Sequence, residues 1–219
     1  MQDASREYYF NIVYLSLADS GGMREEEPLN VKFFAEFVYK FIKFKKLKDV
    51  IILGNSLGGH VGLIFSKLYP KLVKGLVLTG SSGLYENSMG DSYPKREDYE
   101  YIKERTEAVF FSPKIATKKI IDEIYETVND RKKLIKILAM AKSAIRHNMS
   151  KDLPNIKVNT AIVWGTNDSV TPPDVAKDFN KLLPNSELFW IKECGHAPMM
   201  EHPSEFNTIM KGWLERKKF

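Results

Sequence analysis

The stretch Gly54-Asn55-Ser56-Leu57-Gly58-Gly59 decides the fold, because it joins two segments with different apolar patterns. Before it, Val50-Ile51-Ile52-Leu53 is short and β-branched, as expected for a buried strand. After it, His60 to Tyr69 carries apolar residues at helical spacing and stops before Pro70. A serine between spaced glycines on a strand-to-helix turn is typical of a nucleophile elbow, and we predict that a Cβ at Gly54 or Gly58 would collide with neighbouring chain.

Two further polar residues follow predicted strands later in the chain. Thr160 to Trp164 has the composition of a buried strand and runs into a turn-rich loop that contains Asp168. Glu187 to Ile191 is predicted to be the last strand, and His196 lies in the loop after it. Because the carboxyl ends of neighbouring parallel strands meet at one edge of a sheet, we expect Ser56, Asp168 and His196 to converge there.

The order Ser, Asp, His along the chain suits nucleophilic catalysis. A serine hydroxyl is a poor nucleophile at neutral pH until an imidazole accepts its proton, and a buried carboxylate fixes the tautomer of that imidazole. We therefore predict Ser56 as nucleophile, His196 as base and Asp168 as the orienting acid. The Leu57 N–H, at the start of the following helix, is predicted to donate to a developing oxyanion.

Each assignment has a simpler alternative. The serine could stand in an ordinary glycine-rich turn, and Asp168 could cap a turn, a role that aspartate often takes. His196 could be a surface loop histidine, although Gly195 beside it permits a tight backbone. The shared chain order and the position of each residue after a strand favour the catalytic interpretation.

The alternation of strand and helix patterns predicts an α/β fold with a mostly parallel sheet flanked by helices. We assign residues 1–83 and 151–219 to the core and residues 84–150 to a helical cap that would cover Ser56. Three amphipathic helices are predicted in the cap, over Pro94–Phe111, Pro113–Val128 and Asp130–Asn148, and a C-terminal helix is predicted to end near Trp213. Some apolar cap residues either line a pocket or form the core of the cap: Phe110, Phe111, Met140, Ile145 and Met149.

These motifs resemble those of the α/β-hydrolase superfamily, in the branch with a helical cap. The resemblance rests on Gly-Asn-Ser-Leu-Gly-Gly at 54–59, on Trp-Gly-Thr-Asn-Asp at 164–168, and on Cys-Gly-His at 194–196 with Glu201-His202-Pro203 and Phe206 behind it. It implies a serine hydrolase of carboxylesterase type that acts on a small-molecule ester and needs no cofactor. By the same resemblance Ser56, Asp168 and His196 are catalytic, and Leu57 is one oxyanion-hole donor.

A narrower resemblance points to the carbon–carbon bond hydrolases of aromatic catabolism, which share the Gly-Asn-Ser elbow and the Cys-Gly-His ending. Those enzymes commonly carry Trp after the catalytic histidine, whereas this chain has Ala197-Pro198-Met199-Met200. Three functions therefore stay open: ester hydrolysis, carbon–carbon bond hydrolysis, and a degenerate hydrolase that binds without turnover.

The chain departs from the family at its N-terminal side, where no His-Gly segment precedes Ser56 to supply a second oxyanion donor. One strand, Phe10 to Leu17, and one helix, Val31 to Phe44, are predicted there, so family strands are missing. We expect either that Phe10 to Leu17 fills the place beside the elbow strand, with Ala18 to Gly22 near Ser56 as a substitute donor, or that a second chain fills it in a homodimer. Loss of one donor costs roughly 3–4 kcal/mol of transition-state stabilisation, which predicts weak activity.

Composition supports one globular enzyme domain with an insertion, since the chain has 219 residues and 43% hydrophobic content. No run of eighteen apolar residues occurs, and the first twenty residues lack the apolar region of a signal peptide, so we expect a cytoplasmic protein without a membrane partner. The one cysteine, Cys194, is expected to be a packed, inert thiol. The four histidines show no metal-ligand spacing, so no metal site is expected; His60 is expected to pack.

The net charge of +5 has a structural explanation. Lysines at 40, 43, 45, 46 and 48 are predicted to form the solvent side of the Val31 to Phe44 helix, and a buried stripe is predicted on its other side: Phe33, Phe34, Phe37, Phe41 and Phe44. A nucleic-acid surface is the alternative for this charge, and we do not expect nucleic acid as a partner.

Overall fold

The computed structural model of the protein describes residues 30–86 and 95–219. Within them, four parallel strands form one sheet in the order β1-β2-β3-β4. The strands are β1 Val50–Asn55, β2 Val73–Thr79, β3 Asn159–Gly165 and β4 Ser186–Ile191. The helices are α1 Val31–Phe44, α2 Leu57–Leu68, α3 Tyr99–Glu107, α4 Lys118–Asn129, α5 Arg131–Arg146, α6 Pro173–Leu182, α7 Pro198–Glu201 and α8 Pro203–Lys217.

Side chains alternate between the two faces of the sheet, as the pleat requires. On β2, Leu76 and Leu78 pack with α1, α2 and α6, while Val77 packs with Trp213 of α8. On β3, Trp164 belongs to the same cluster as Leu76 and Leu78, whereas Val163 packs with Phe206 of α8 in another cluster. The sheet is therefore covered by helices on both faces, which confirms the predicted α/β class.

The strand β2 was not predicted separately, and it lies at the centre of the sheet. Its residues are buried except for Lys74, and it pairs with β1 on one side and β3 on the other. Its sequence, Val-Lys-Gly-Leu-Val-Leu-Thr, is β-branched and apolar but contains Gly75. A Cβ at Gly75 would lie 3.0 Å from the Phe219 ring, so the glycine leaves room for the C-terminal residue against the sheet.

The helix α1 has the predicted bounds, because Asn30 caps its first turn by accepting from the Phe33 N–H at 2.9 Å. The predicted phenylalanine stripe is only partly right. Phe34 is buried, but Phe37 and Phe44 are 42% and 77% exposed. The core face is instead completed by aliphatic residues of the same helix, Val31, Ala35 and Ile42, and the lysines face solvent as predicted.

The described residues between β2 and β3 contain three helices, each shorter than predicted. Side-chain caps explain each start: Asp98 accepts from the Tyr101 N–H, Thr117 from the Ile120 N–H, and Asp130 from the Lys132 and Lys133 N–H groups. Residues 113–115 form a separate 3-10 turn, so the second helix begins five residues later than predicted. We call residues 95–150 the helical insertion.

The helix α2 begins at Leu57, directly after Ser56, as predicted. The bound of the last helix differs from the prediction. The last helix continues four residues past Trp213 and ends where Lys218 adopts a left-handed conformation with φ of 55°. Trp213 is fully buried and so marks the packed part of α8, not its end.

The elbow strand β1 lies at one end of the described sheet. The predicted strand Phe10 to Leu17 and the substitute donor segment Ala18 to Gly22 lie outside the described residues. Among the helices of residues 30–86 and 95–219, none is long and apolar enough to cross a membrane.

Candidate active site

Ser56 stands on the tight turn between β1 and α2, with φ of 52° and ψ of −120°. This region of backbone space is costly for a residue with a Cβ, and such strain is concentrated at functional sites. The Ser56 N–H donates to the Thr79 carbonyl at 3.0 Å, and the Ser56 carbonyl accepts from the Ser82 N–H at 3.2 Å. The end of β2 therefore holds the strained residue on both sides.

The glycines around Ser56 have different roles from those predicted. A Cβ at Gly54 would lie 2.3 Å from the Gly58 carbonyl carbon, so Gly54 is required as predicted. A Cβ at Gly58 would meet nothing within 4 Å, so the prediction for Gly58 is wrong. The second crowded position is Gly59, where a Cβ would lie 2.3 Å from Ser81 Oγ. Gly58 is crowded only through its backbone, which α2 brings against Gly54.

Leu57 is the first residue of α2. The first N–H groups of a helix have no acceptor within the helix and point along its positive end. The Leu57 N–H therefore lies directly beside the Ser56 side chain in an electrostatic setting that favours an anion.

Asp168 follows β3 and is 3% exposed. Its Oδ1 accepts from the Val170 and Thr171 N–H groups, both at 2.9 Å, and its Oδ2 accepts from Thr171 Oγ1 at 2.8 Å. The alternative role as a turn cap is thus real, but the same carboxylate also faces His196. The carboxylate is therefore held by its own loop and by His196 together.

His196 follows β4, and its ring contacts Asp168 through Nδ1. The distances from Nδ1 are 2.9 Å to Asp168 Oδ2, 3.1 Å to Oδ1 and 3.3 Å to Thr171 Oγ1. The residue is 7% exposed, so it is not a surface loop histidine. A carboxylate at Nδ1 places the proton there and leaves Nε2 as the acceptor in the neutral ring.

Two residues at the ends of β1 and β2 bring the histidine loop against the elbow. Asn55 Nδ2 donates to the His196 carbonyl at 2.9 Å and to the Thr79 carbonyl at 3.0 Å. Gly80 has φ of 47°, and a Cβ there would lie 2.7 Å from His196 Nδ1. Ser56, Asp168 and His196 therefore belong to strand ends at one edge of the sheet.

A carboxylate that was not predicted lies within electrostatic range of the histidine. Burial raises the pKa of the Glu86 carboxyl, and the interaction with His196 offsets part of that rise. Glu86 follows the Thr79 to Gly83 stretch at the end of β2. In the sequence, only its position in that loop could have indicated that Glu86 lies near the candidate site, since an isolated glutamate belongs to no motif.

Cys194 is fully buried, which confirms the packed thiol. Burial raises the pKa of this thiol far above its ordinary value, and the carboxylate of Glu201 adds to the rise. The thiol therefore stays protonated and is a poor nucleophile.

The histidines at 60, 147 and 202 lie away from the Asp168 contact. His60 is fully buried, as predicted, and its Nε2 lies 2.9 Å from His147 Nδ1 at the end of α5. Burial, with a further effect of His147, lowers the pKa of His60 to about 3. His202 Nε2 lies 3.0 Å from the Glu193 carbonyl. In the part of the chain that the structure describes, no group of three or more His, Cys, Asp or Glu side chains is placed to hold a metal ion.

The cap residues named as pocket candidates separate into two groups. Met140 and Met149 are buried and belong to the main core cluster, which favours the packing interpretation for both. Phe111 and Ile145 are 46% and 50% exposed, and Phe110 is half-buried.

A model of the alpha/beta hydrolase family matches residues 17–209. The chain belongs to the alpha/beta hydrolase family. It is 47% identical to an alpha/beta hydrolase enzyme from the metagenome of sediments from the Mar Chica lagoon, Morocco, with a TM-score of 0.69 over 89% of this chain and 75% of that one.

Relatives of known name include more than one kind of hydrolase. The chain is 30% identical to the 2-hydroxy-6-oxo-6-(2'-aminophenyl)hexa-2,4-dienoic acid hydrolase of Metapseudomonas resinovorans, over 82% of this chain and 65% of that protein. It is 24% identical to lipase 1 of Psychrobacter immobilis, over 86% of this chain and 64% of that protein. The hydrolase therefore spans just under two thirds of the length of these two relatives.

Proposed function

We propose that this hydrolase cleaves a carboxylic ester through an acyl-enzyme formed on Ser56. The observation that carries the proposal is the buried contact of 2.9 Å between His196 Nδ1 and Asp168 Oδ2, at the sheet edge where Ser56 stands on its strained turn. A histidine oriented in this way presents Nε2 as a base, and the elbow presents a hydroxyl. Acyl transfer needs the Ser56 hydroxyl and His196 Nε2 to lie together beside the carbonyl carbon of a bound ester.

In the proposed first step, Ser56 Oγ attacks the carbonyl carbon of the ester while His196 Nε2 accepts the hydroxyl proton. Asp168 stabilises the imidazolium that forms, and the Leu57 N–H donates to the oxyanion. The tetrahedral intermediate then collapses: the bond from carbon to the leaving oxygen breaks, and His196 gives its proton to the departing alcohol. The acyl group stays on Ser56 Oγ.

In the second step, a water molecule gives a proton to His196 Nε2 and attacks the acyl carbon. The bond between that carbon and Ser56 Oγ breaks, and the serine oxygen takes the proton back from the imidazolium. The carboxylic acid leaves, and the enzyme returns to its starting state. The two half-reactions use one base and one oxyanion site.

The alternative reaction is carbon–carbon bond hydrolysis, which the name of the Metapseudomonas resinovorans relative favours. That relative's substrate is named as a dienoic acid, so it carries a carboxylate. In this hydrolase Glu86 lies half-buried within range of His196, and an ionised Glu86 would repel a second anion there. Together with Ala197 in place of Trp after the histidine, this carboxylate favours an uncharged ester as substrate.

The third function, binding without turnover, depends on the second oxyanion donor. The segment proposed to supply it, Ala18 to Gly22, is outside the described residues. The side of β1 that has no partner strand among residues 30–86 and 95–219 is part of the same proposal, since either Phe10 to Leu17 or a second copy of the chain would pair with it. Light scattering on the purified chain separates a monomer from a homodimer.

The deciding experiment compares wild type with Ser56→Ala on a series of p-nitrophenyl esters, together with mass spectrometry after a fluorophosphonate probe. We expect wild type to turn over and to gain one label on Ser56. Ser56→Ala should do neither. Ser204→Ala, at an exposed serine of α8, is the matched control and should behave as wild type.

Turnover that survives in Ser56→Ala would refute the nucleophile assignment. Absence of both label and turnover in wild type would favour the binding protein over the esterase. A further arm with a dienoic acid substrate tests the carbon–carbon alternative, because faster cleavage of that substrate than of any ester would replace the ester proposal.

A further inference from the structure

The Glu201 carboxylate joins the histidine loop to the helical insertion. Its Oε1 accepts from the Gly195 N–H at 2.8 Å, one residue before His196. Its Oε2 accepts from the Phe111 N–H at 2.8 Å and from the Ser112 N–H at 3.4 Å. One side chain at the end of α7 therefore holds main-chain donors from two segments that are far apart in sequence.

The segment of the insertion that Glu201 contacts, residues 108–112, is also bonded directly to both candidate catalytic loops. The His196 N–H donates to the Val109 carbonyl at 3.0 Å. Ser169 Oγ, next to Asp168, donates to the Ala108 carbonyl at 3.1 Å. Residues 108–112 thus lie against the loop of the base and the loop of the acid at once.

The approach of these segments leaves no room for a side chain at Gly195. A Cβ there would lie 2.7 Å from the Val109 carbonyl oxygen, 2.8 Å from the Phe111 nitrogen and 3.0 Å from Glu201 Oε1. Two of these three atoms are backbone, so they cannot rotate away. The Cys-Gly-His motif therefore needs its glycine for contact with the insertion.

A carboxylate suits this position because all of its hydrogen-bond capacity is for acceptance. It faces three N–H donors on two sides, and bonds from N–H groups to an ionised acceptor are stronger than bonds between neutral groups. A glutamine of the same size would turn an NH2 group toward one set of donors, so it could hold one segment but not both.

We propose that Glu201 is a positioning residue that makes the orientation of His196 depend on the helical insertion. The carboxylate does not touch the reacting atoms. It fixes the main chain on the N-terminal side of His196 against residues 108–112, and this contact sets the place of the imidazole relative to Ser56. The inference rests on the proposed serine hydrolase function, in which His196 is the base.

The test uses the full chain as wild type, Glu201→Gln, Glu201→Ala and the control Glu205→Gln. Glu205 is an exposed carboxylate in the first turn of α8, so its variant removes the same charge close by. We expect kcat for a p-nitrophenyl ester to fall about ten- to a hundredfold in both Glu201 variants, with KM changed by less than about threefold, because displaced catalytic groups cost rate. Glu205→Gln should keep both constants.

Amide hydrogen exchange, followed by NMR or mass spectrometry, supplies a readout that does not need activity. In wild type the N–H groups of Gly195, Phe111 and Ser112 should exchange slowly, and they should exchange faster in both Glu201 variants while the strands β2 and β3 keep their protection. A general loss of stability would instead speed exchange across the sheet. Because a smaller active fraction also lowers the apparent kcat at unchanged KM, kcat is calculated per enzyme molecule that takes the fluorophosphonate label.

The outcomes separate the two proposals. An unchanged kcat in Glu201→Gln overturns the positioning role, as does unchanged exchange at Gly195 and Phe111. If wild type itself neither turns over esters nor takes the fluorophosphonate label, the proposed function fails. In that case the exchange data test only the contact of Glu201 with the Gly195 and Phe111 N–H groups. Local loss of protection in the Glu201 variants supports this contact, and unchanged protection overturns it.

Discussion

Asn55 Nδ2 donates to the carbonyl of His196 at 2.9 Å, across 141 residues of sequence. The residue before the candidate nucleophile therefore holds the main chain of the candidate base. The same amide group also donates to the Thr79 carbonyl and to Thr79 Oγ1, at 3.0 and 3.1 Å. The asparagine of the Gly-Asn-Ser elbow is thus a structural link between three strand ends.

Substitution of this residue should reduce both activity and stability. Asn55→Ala leaves the His196 carbonyl without its donor, and we expect kcat to fall about tenfold or more, with roughly 1–3 kcal/mol lost from the free energy of unfolding. Asn55→Asp should be worse, because a carboxylate would face the carbonyl oxygens of Thr79 and His196, which can only accept.

The control is Asn185→Ala, which removes a bond of the same kind, from Asn185 Nδ2 to the Lys157 carbonyl at 2.7 Å, far from the strand ends at the site. Ester kinetics and urea unfolding check both variants. Equal effects of Asn55→Ala and Asn185→Ala on kcat would contradict a special role for Asn55.

The two adjacent glycines of α2 provide a matched pair. Gly59→Ala would place a methyl group 2.3 Å from Ser81 Oγ, so we expect a loss of roughly 1–3 kcal/mol of stability and a displaced elbow. Gly58→Ala meets nothing within 4 Å and should be neutral or stabilising by up to about 1 kcal/mol, because alanine is the better helix former. Thermal unfolding and fluorophosphonate labelling rates check this order, and a reversed order would refute the crowding argument.

His60 should make the protein less stable in acid. Burial lowers the pKa of His60 to about 3, whereas the unfolded chain has the ordinary value of 6.5, so the unfolded state binds more protons between these values. The stability that the neutral His60 contributes is complete above pH 6.5 and is lost as the pH falls toward 3, at roughly 1 kcal/mol per pH unit or less.

Urea unfolding at pH 7.5, 6 and 5 measures this slope. His60→Gln should flatten it, while His202→Gln, at a histidine near the surface, should keep it. The same slope in wild type and His60→Gln would assign the acid sensitivity to other groups.

Glu86 should discriminate against anionic substrates. Because burial raises the pKa of this carboxyl, it changes charge at a higher pH than an exposed glutamate does. Above that pKa the ionised group repels a substrate carboxylate, and we expect Glu86→Gln to raise kcat/KM for the p-nitrophenyl monoester of succinic acid roughly three- to tenfold relative to p-nitrophenyl butyrate.

The discrimination by wild type should weaken as the pH falls through the raised pKa, and Glu86→Gln should show no such change. Glu104→Gln, at an exposed residue of α3, is the control. If both substrates respond equally to Glu86→Gln, the carboxylate does not act on substrate charge.

Much of this fold follows from local patterns. The bounds of α1, the positions of β1, β3 and β4, and the three strand ends that carry Ser56, Asp168 and His196 were predicted, since periodicity and turn residues are local properties. The strand β2 was missed as a separate element, although its sequence is apolar enough. The predicted crowding at Gly58 was wrong because helix geometry brings the next glycine, Gly59, against Ser81.

Long-range partners could not be predicted. Asn55 and Glu201 lie within the sequence motifs and Thr171 lies three residues after one of them, yet nothing in the sequence there says which groups they bind. Glu201 binds the Phe111 N–H across 90 residues, and this pairing depends on the tertiary contact between the insertion and the histidine loop. Side-chain hydrogen bonds of this kind have no periodicity, so a single sequence does not reveal them.

The loop of the acid and the loop of the base differ in what supports them. The Asp168 carboxylate is held chiefly by the N–H groups of its neighbours Val170 and Thr171. The main chain at Gly195 and His196 is instead hydrogen-bonded to Glu201 and to the Val109 carbonyl. A variant in which the helical insertion is replaced should therefore keep residues 108–112, or have them redesigned together with Glu201. In a chimera, the junctions between the two sequences should therefore lie inside the insertion and not at the ends of β2 and β3.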